Sequence, residues 1–349
     1  TSVQRCISER EPGSDAGWGA KDRDLYDRLR EQGVAVAYTY STAGVLLQLR
    51  AELVVFTHSV PEEFLAPLVA PWVRRAQMWH GIPIKKIGND DNTQQYSRLH
   101  LRVRALLFPC DLDRCDLVIA ASESDAGRYR SAFNVRPEQI RITGYPRNDA
   151  LMRSAAQATD AGPRRAIYMP TLRGAVDSEF ALLRTSGFDA RSADRRLERI
   201  GWRLTIKLHP LQRLSASDAG GIDQAAHVDR MPSGQDVYDV VGAYDAVITD
   251  FSGIYFDFMI TGKPIVMAPF EIEKYVATDR HLYFRYDEIL PDDPCTTWDE
   301  VFSRLASLPP RGTAPSARYV SLQRAFHRHL DDQSSRRVVD ELKALTLLA

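Results

Sequence analysis

Short apolar runs recur along this chain, each separated from the next by room for about one helix, and few folds accept that rhythm. In the first half the runs are Val34–Tyr40, Leu53–Thr57, Arg75–Trp79, Asp116–Ala120 and Gln139–Thr143. Helical patterning covers Lys21–Gln32, Leu46–Arg50, Glu62–Val69 and Glu123–Phe133 between them. The second half repeats the alternation, with runs at Ala166–Met169, Arg203–Leu208, Ala246–Thr249 and Pro264–Ala268 and helical stretches at Ala190–Ile200, Val237–Ala243 and Gly253–Ile260. Apolar runs alternating with helices predict parallel sheets covered by helices on both faces. A chain of 349 residues exceeds what one core usually spans. The expectation is therefore an α/β protein of two doubly wound domains facing a cleft, residues 1–160 and 161–320, with a helical tail over 321–349 that packs back on the first domain. The polar stretch Met152–Arg165, with Gly162-Pro163, is the expected linker, and Thr1–Ala20 reads as a loose polar arm.

Charge and cysteine content narrow the function classes. The chain carries 45 basic and 46 acidic residues, a net charge of -1, so no global field draws it to nucleic acid or to an anionic surface. Cys6, Cys110, Cys115 and Cys295 form no CxxC pair and have no histidine at ligand spacing, which speaks against zinc and for a reducing cytoplasm. No stretch approaches the roughly 20 apolar residues that span a bilayer, and no secretory signal is visible. The chain opens with Thr1, so an upstream segment is expected.

In doubly wound folds ligands lie beyond the carboxyl ends of the strands, so residues that directly follow predicted strands hold the chemistry. Four places qualify. In Trp79-His80-Gly81, running on to Lys85-Lys86, a neutral-range imidazole followed by a residue without a side chain suits a general base, and the lysines offer charge for phosphate. The plainer reading is a structural histidine in a turn. In Lys207-Leu208-His209-Pro210 the cation and the imidazole have the same strand parity and share a face, where they can hold a phosphate or serve a leaving group; an edge-strand surface pair is the alternative. In Thr249-Asp250-Phe251-Ser252-Gly253 a strand turns into a helix with Asp250 or Ser252 as N-cap, and a diphosphate can lie across Ser252 and Gly253; simple capping explains the same residues. In Tyr168–Gly174, Arg173 is placed for a bidentate phosphate contact, or is only a solvated arginine. Lysine is scarce, seven in all, and Lys85, Lys86, Lys207 and Lys263 fall in or beside these motifs.

Taken in order, these motifs resemble the CDP-glycerol glycerophosphotransferase family, the primases and polymerases of teichoic acid and related capsule polymers. The resemblance runs from about Phe56 to Arg337. It rests on Trp79–Lys86, Gly144–Asp149, Tyr168–Arg173, Lys207–Pro210 and Thr249–Ser252, followed by Phe256-Asp257 and Lys263-Pro264. The chain departs from the family pattern at His281, where glycine is usual, at Asp332-Gln333, and at Gly253, where a second serine is common.

The resemblance implies a GT-B-type pair of Rossmann-like domains, the first for the acceptor and the second for the donor. It implies transfer of glycerol phosphate, or another phosphoalditol such as ribitol phosphate, from a CDP-linked donor to a teichoic-acid-like or capsular polymer or its lipid-linked primer. CMP is released and neither metal nor other cofactor is needed. His80 then takes the acceptor proton, with Gly81, Lys85 and Lys86 on the acceptor side. His209 and Lys207 steady the charge on the departing CMP, and Thr249, Asp250, Ser252 and Gly253 hold the diphosphate or ribose. Arg173 and Arg280 are further anion clamps. The acceptor implies an enzyme at the cytoplasmic face of the cell membrane, in peripheral contact with it, and the basic and apolar alternation of Ser97–Ala105 suits anionic lipid or polymer as well as it suits a solvated strand face. Two other readings stay open: a nucleotide-sugar glycosyltransferase or epimerase of the same fold, and a non-catalytic polymer- or nucleotide-binding homologue. Nucleic acid is not an expected partner.

Overall fold

In the computed structural model every paired strand among the described residues is parallel to its neighbour. The structure describes residues 6–7, 16–91, 114–158, 162–171, 178–179, 183, 186–209, 212–232, 235–271 and 282–347. The chain divides into two units: residues 1–81, 86–146 and 333–349 form one, and residues 82–85 and 147–332 form the other.

The first unit runs β1 (Trp18–Ala20), α1 (Arg23–Glu31), β2 (Val36–Tyr38), α2 (Thr42–Arg50), β3 (Leu53–Phe56), α3 (Val60–Glu63), β4 (Arg74–Gln77), β5 (Leu117–Ala120), α4 (Glu123–Ala132) and β6 (Ile140–Ile142). Among the described residues β1 and β2 form a two-stranded sheet, while β3, β4, β5 and β6 form one sheet in that order. β5 reads Leu-Val-Ile-Ala and is buried at all four positions, as a strand covered on both faces must be. The side chains of Asp22, Ser41 and Ser122 accept the third backbone N–H of the helices they precede, which fixes where α1, α2 and α4 begin.

The second unit runs α5 (Arg147–Ala156), β7 (Arg164–Met169), β8 (Ser178–Glu179), α6 (Ala190–Ile200), β9 (Trp202–Ile206), β10 (Gln212–Arg213), α7 (Ala216–Asp223), β11 (Val228–Arg230), β12 (Ala246–Thr249), α8 (Ile254–Met259), β13 (Ile265–Met267), α9 (Tyr286–Ile289), α10 (Trp298–Ser307) and α11 (Ala317–Phe326). Its main sheet has the order β11-β9-β7-β12-β13. Trp298 centres an aromatic cluster with Tyr168, Phe188, Phe270 and Phe302 that closes one face of the sheet. The chain then rejoins the first unit as α12 (Ser334–Leu347), where Glu341 pairs with Arg141 at 3.0 Å.

The structure departs from the sequence expectation in four stretches. Glu62–Val69 is not one helix: α3 ends at Glu63, Phe64 is extended, and a separate 3₁₀ turn with Pro67 follows at Ala66–Leu68. Val237–Ala243 is two 3₁₀ turns, because the Gly242 N–H goes to Ser154 Oγ at 3.1 Å and not up the chain. The expected linker begins inside α5, which buries Leu151 and Ser154. The tail is two helices, α11 in the second unit and α12 in the first.

Candidate functional site

In the first unit, His80 stands just past the carboxyl end of β4, on a backbone held out of its usual range. Trp79 has φ 47°, a conformation that a residue with a side chain keeps only when surrounding contacts over-determine it, and Gly81 has φ 122°, which glycine reaches freely. Those contacts are present. The Trp79 N–H donates to Gln77 Oε1 at 2.9 Å, and the same side chain donates through Nε2 to the His58 carbonyl at 2.8 Å. The Trp79 ring meets Phe133 edge-on at 5.2 Å. The Gly81 carbonyl accepts from Tyr129 Oη at 3.0 Å. That hydroxyl lies 2.5 Å from Tyr145 Oη, which in turn donates to the buried Asp125 at 2.5 Å. Burial first, and then the Asp125 charge, hold the Tyr145 phenol well above its ordinary range, so it stays a donor.

His80 Nδ1 lies 3.3 Å from the Thr57 carbonyl. A carbonyl can only accept, so Nδ1 carries the proton and Nε2 is the basic nitrogen. The exposed ring is flanked by Trp79, with centroids 4.2 Å apart, and stacks on His58 at 4.6 Å and 15°.

In the second unit the strand order sets the site. From β7 the chain steps outward through β9 to β11, then returns to β12 and β13 on the other side of β7. The switch point is therefore between β7 and β12, and ligand crevices of doubly wound sheets open beyond the strand ends at that point. The loops there are stitched together. Asp250 Oδ1 accepts from Thr171 N at 2.9 Å, from Thr171 Oγ1 at 2.6 Å and from Phe251 N at 2.6 Å. Thr249 Oγ1 donates to the Met169 carbonyl at 2.7 Å. Beside them, past β9, stand Lys207 and His209, both half-buried. Burial lowers the Lys207 amine, whose Nζ donates to the Leu208 carbonyl at 2.6 Å. Burial and then the Lys207 charge lower the His209 imidazole, which favours its neutral form at neutral pH.

Several expectations change in detail. β9 ends at Ile206, so Lys207 and His209 share a loop and not a strand face. Neither Asp250 nor Ser252 caps α8: Gly253 holds that position and no side chain caps it. Thr249 and Asp250 are buried, with their oxygens turned to neighbouring loops. Ser252 and Gly253 are half-exposed, and a Cβ on Gly253 would meet open space. Lys85 belongs to the second unit, bridged to Leu282, whereas Lys86 belongs to the first with His80 and Gly81. Lys263 donates to the Gly242 and Tyr244 carbonyls at 2.6 and 3.2 Å, a structural task. Arg173, Arg280 and Ser97–Ala105 lie outside the described residues.

Sequence reasoning passed over His58 and Glu63, although His58 directly follows the predicted strand Leu53–Thr57 and so met the rule used for the other candidates. It also missed that Arg147 and Asp257, from two separate motifs, form an ion pair at 2.5 Å.

Residues 3–344 match the family described as CDP-glycerol:poly(glycerophosphate) glycerophosphotransferase. The teichoic acid poly(glycerol phosphate) polymerase of Staphylococcus epidermidis is 28% identical over 229 residues, 62% of this chain and 31% of that protein. The teichoic acid glycerol-phosphate transferase of Staphylococcus aureus is 26% identical over 298 residues, 78% of this chain and 71% of that protein. The chain thus spans from under a third to about seven tenths of the length of these relatives. Among solved structures, that of the wall teichoic acid polymerase TagF superposes with a TM-score of 0.75 over 99% of this chain and 85% of that one, at 18% identity. That likeness establishes the fold, an α/β architecture with parallel sheets.

Proposed function

The chain belongs to the CDP-glycerol:poly(glycerophosphate) glycerophosphotransferase family, and from that membership we propose that it transfers glycerol phosphate, or a related phosphoalditol, from a CDP-linked donor to an acceptor hydroxyl, with release of CMP. The observation that carries a catalytic reading over a binding one is the His80 imidazole. Its Nδ1 lies against the Thr57 carbonyl, which supports the reading of Nε2 as the base. In the proposed step the acceptor O–H proton passes to Nε2. The acceptor oxygen forms a bond to the donor's β-phosphorus, and the bond from that phosphorus to the bridging oxygen breaks, its electron pair leaving with CMP.

The negative charge that gathers on the departing phosphate is met by the Lys207 ammonium and by a hydrogen bond from neutral His209. Thr249 and Asp250 act by holding the switch-point loops, and Ser252 and Gly253 offer the surface on which the diphosphate lies. Positive side chains supply the stabilisation in this reading, so turnover is independent of added metal. The acceptor is the end of a teichoic-acid-like or capsular polymer, or its lipid-linked primer, met at the inner face of the membrane with Ser97–Ala105 as the contact. No helix of the described residues is long and apolar enough to cross a bilayer.

The test is CMP release from CDP-glycerol and, separately, from CDP-ribitol, with a short glycerol-phosphate or lipid-linked acceptor and EDTA present. Release from one donor, surviving EDTA and falling by about 10²–10⁴ in His80→Ala, is the expected result. Release that His80→Ala leaves near normal removes the base assignment, and no release from either donor removes the reading. Flotation with anionic vesicles tests the membrane contact, which is lost as an idea if the protein stays at the bottom of the gradient while neutral and anionic vesicles alike rise.

A further inference from the structure

We propose that His58 is a positioning residue for the His80 base, and that the Glu63 carboxylate sets the orientation of both rings by gripping the peptide between Thr57 and His58. The proposal deepens the transfer reading above and rests on it for the role of His80. A single carboxylate oxygen, Glu63 Oε1, accepts from the Thr57 N–H at 2.7 Å, from Thr57 Oγ1 at 3.0 Å and from the His58 N–H at 2.6 Å. The His58 N–H belongs to the same peptide plane as the Thr57 carbonyl, and in a trans peptide the two groups point in opposite directions. Glu63 therefore holds one end of the plane whose other end receives His80 Nδ1 at 3.3 Å. If that plane rotates, the carbonyl leaves Nδ1 and the tautomer that makes Nε2 the base is no longer favoured.

The same grip places the second ring. His58 leaves the turn with Nδ1 3.1 Å from Thr57 Oγ1 and 3.6 Å from Glu63 Oε1. Its plane lies within 15° of the His80 plane at 4.6 Å. With Trp79 against the ring at 4.2 Å, His80 is confined by two flat neighbours and one carbonyl. From below, Gln77 joins the arrangement by donating to the His58 carbonyl while accepting from the Trp79 N–H. The orientation of an exposed imidazole on a loop is thus fixed from the adjacent strand end, the way histidines that must present one nitrogen are usually held by a partner on the other.

The test compares His58→Ala, His58→Phe and Glu63→Gln with the wild-type chain, in CMP release and in nitrogen NMR of the histidine rings. His58→Ala is expected to lower kcat about tenfold with donor KM within about twofold, the loss typical of a misoriented catalytic group. His58→Phe keeps a flat ring against His80 and should recover to within about threefold of wild type. Glu63→Gln should match His58→Ala in kcat and should convert His80 from the Nδ1–H tautomer to a mixture. Wild-type kcat in His58→Ala, no recovery in His58→Phe, or an unchanged His80 tautomer in Glu63→Gln each overturns the proposal. If the wild-type chain releases no CMP, the transfer reading fails on its own account, and the tautomer comparison still decides whether Glu63 orients the ring.

Discussion

The Arg147–Asp257 pair is a place where a substitution remote from the proposed chemistry should have a large and specific effect. Asp257 is fully buried, one turn into α8, the short helix that follows the Ser252-Gly253 turn. Its Oδ2 accepts from Arg147 Nη2 at 2.5 Å and from Tyr238 Oη at 2.7 Å, while its Oδ1 has no hydrogen-bond partner. Burial, ahead of every other cause, holds the Tyr238 phenol well above its ordinary value, so it remains a donor at all working pH.

Arg147→Ala leaves the carboxylate buried without its cation. Breaking such a pair costs about 3–5 kcal/mol, and because the Arg147 side chain is itself 25% exposed the lower end applies. At about 2–4 °C per kcal/mol for a unit of this size, the transition of the second unit should fall by roughly 6–12 °C. Asp257→Asn keeps an acceptor for Tyr238 and leaves an arginine that water can reach, so about 1.5 kcal/mol is expected. The double variant buries no charge and should sit near Asp257→Asn, giving a coupling of about 2–3 kcal/mol in the cycle. Differential scanning calorimetry on all four proteins measures it. Additive losses, or a loss under about 1 kcal/mol in Arg147→Ala, would refute the view that the charge is stranded.

Three other outcomes follow from the same reasoning. His327 is buried with Nε2 2.7 Å from the Phe256 carbonyl, and burial lowers its pKa; the unfolded chain therefore takes up a proton that the folded chain refuses, so this group's contribution to stability should be unaffected above about pH 6.5 and fall below it by up to about 1.36 kcal/mol per pH unit, and urea titrations should find the slope reduced in His327→Gln, with the part owed to His209 remaining. Gly144 has φ 77°, and a Cβ there would stand 2.5 Å from Ser334 Oγ; Gly144→Ala should cost about 2–4 kcal/mol in urea unfolding, and adding Ser334→Ala should return all but the backbone part of about 1–2. Because burial lowers the Lys207 amine, kcat/KM for the donor should decline on the alkaline side before an ordinary lysine titrates near about 10.4, being full below the lowered pKa and lost as pH rises through it, and Lys207→Arg should remove that decline.

The fold was legible wherever local signals agreed with one another. Ala190–Ile200 begins after the Asp189 cap and ends at Gly201 in the left-handed region, and expectation and structure agree at both ends. Ala246–Thr249 is buried at every position and was equally plain as a strand. The failures lie where a tertiary partner outbids the local pattern. Val237–Ala243 has helical spacing, but Ser154 on α5 takes the Gly242 N–H and the helical ladder stops. At Glu62–Val69 the Glu63 carboxylate folds back onto the Thr57 and His58 N–H groups, and the chain leaves α3 through an extended Phe64.

For the site, what sequence can supply is which strand end a residue lies near: His80 and His209 come after β4 and β9 as expected, whereas Lys207, expected within the strand, lies just past its end. It cannot supply which way a polar side chain turns once it is there. Asp250 and Ser252 are two residues apart in one turn, yet Asp250 is buried and accepts from N–H and O–H donors while Ser252 is only half-buried. Arg147, Asp257 and Lys263 stand in motifs as distinctive as the one around His80, and each is committed to an internal partner. A motif in this chain is therefore two things interleaved, side chains that reach the strand-end surface and side chains that keep the loops bearing them in place. The second kind is under the tighter geometric demand, because a buried charge or a left-handed glycine tolerates almost no replacement, whereas an exposed histidine is freer to change without loss of the fold. It follows that sequence likeness alone tracks the scaffold at least as closely as the chemistry. A homologue could keep Arg147, Asp257 and Gly144 and lose His80 without losing its fold, and in the proposed reading the His80 imidazole, with the turn that aims it, is the feature by which transfer and mere binding separate.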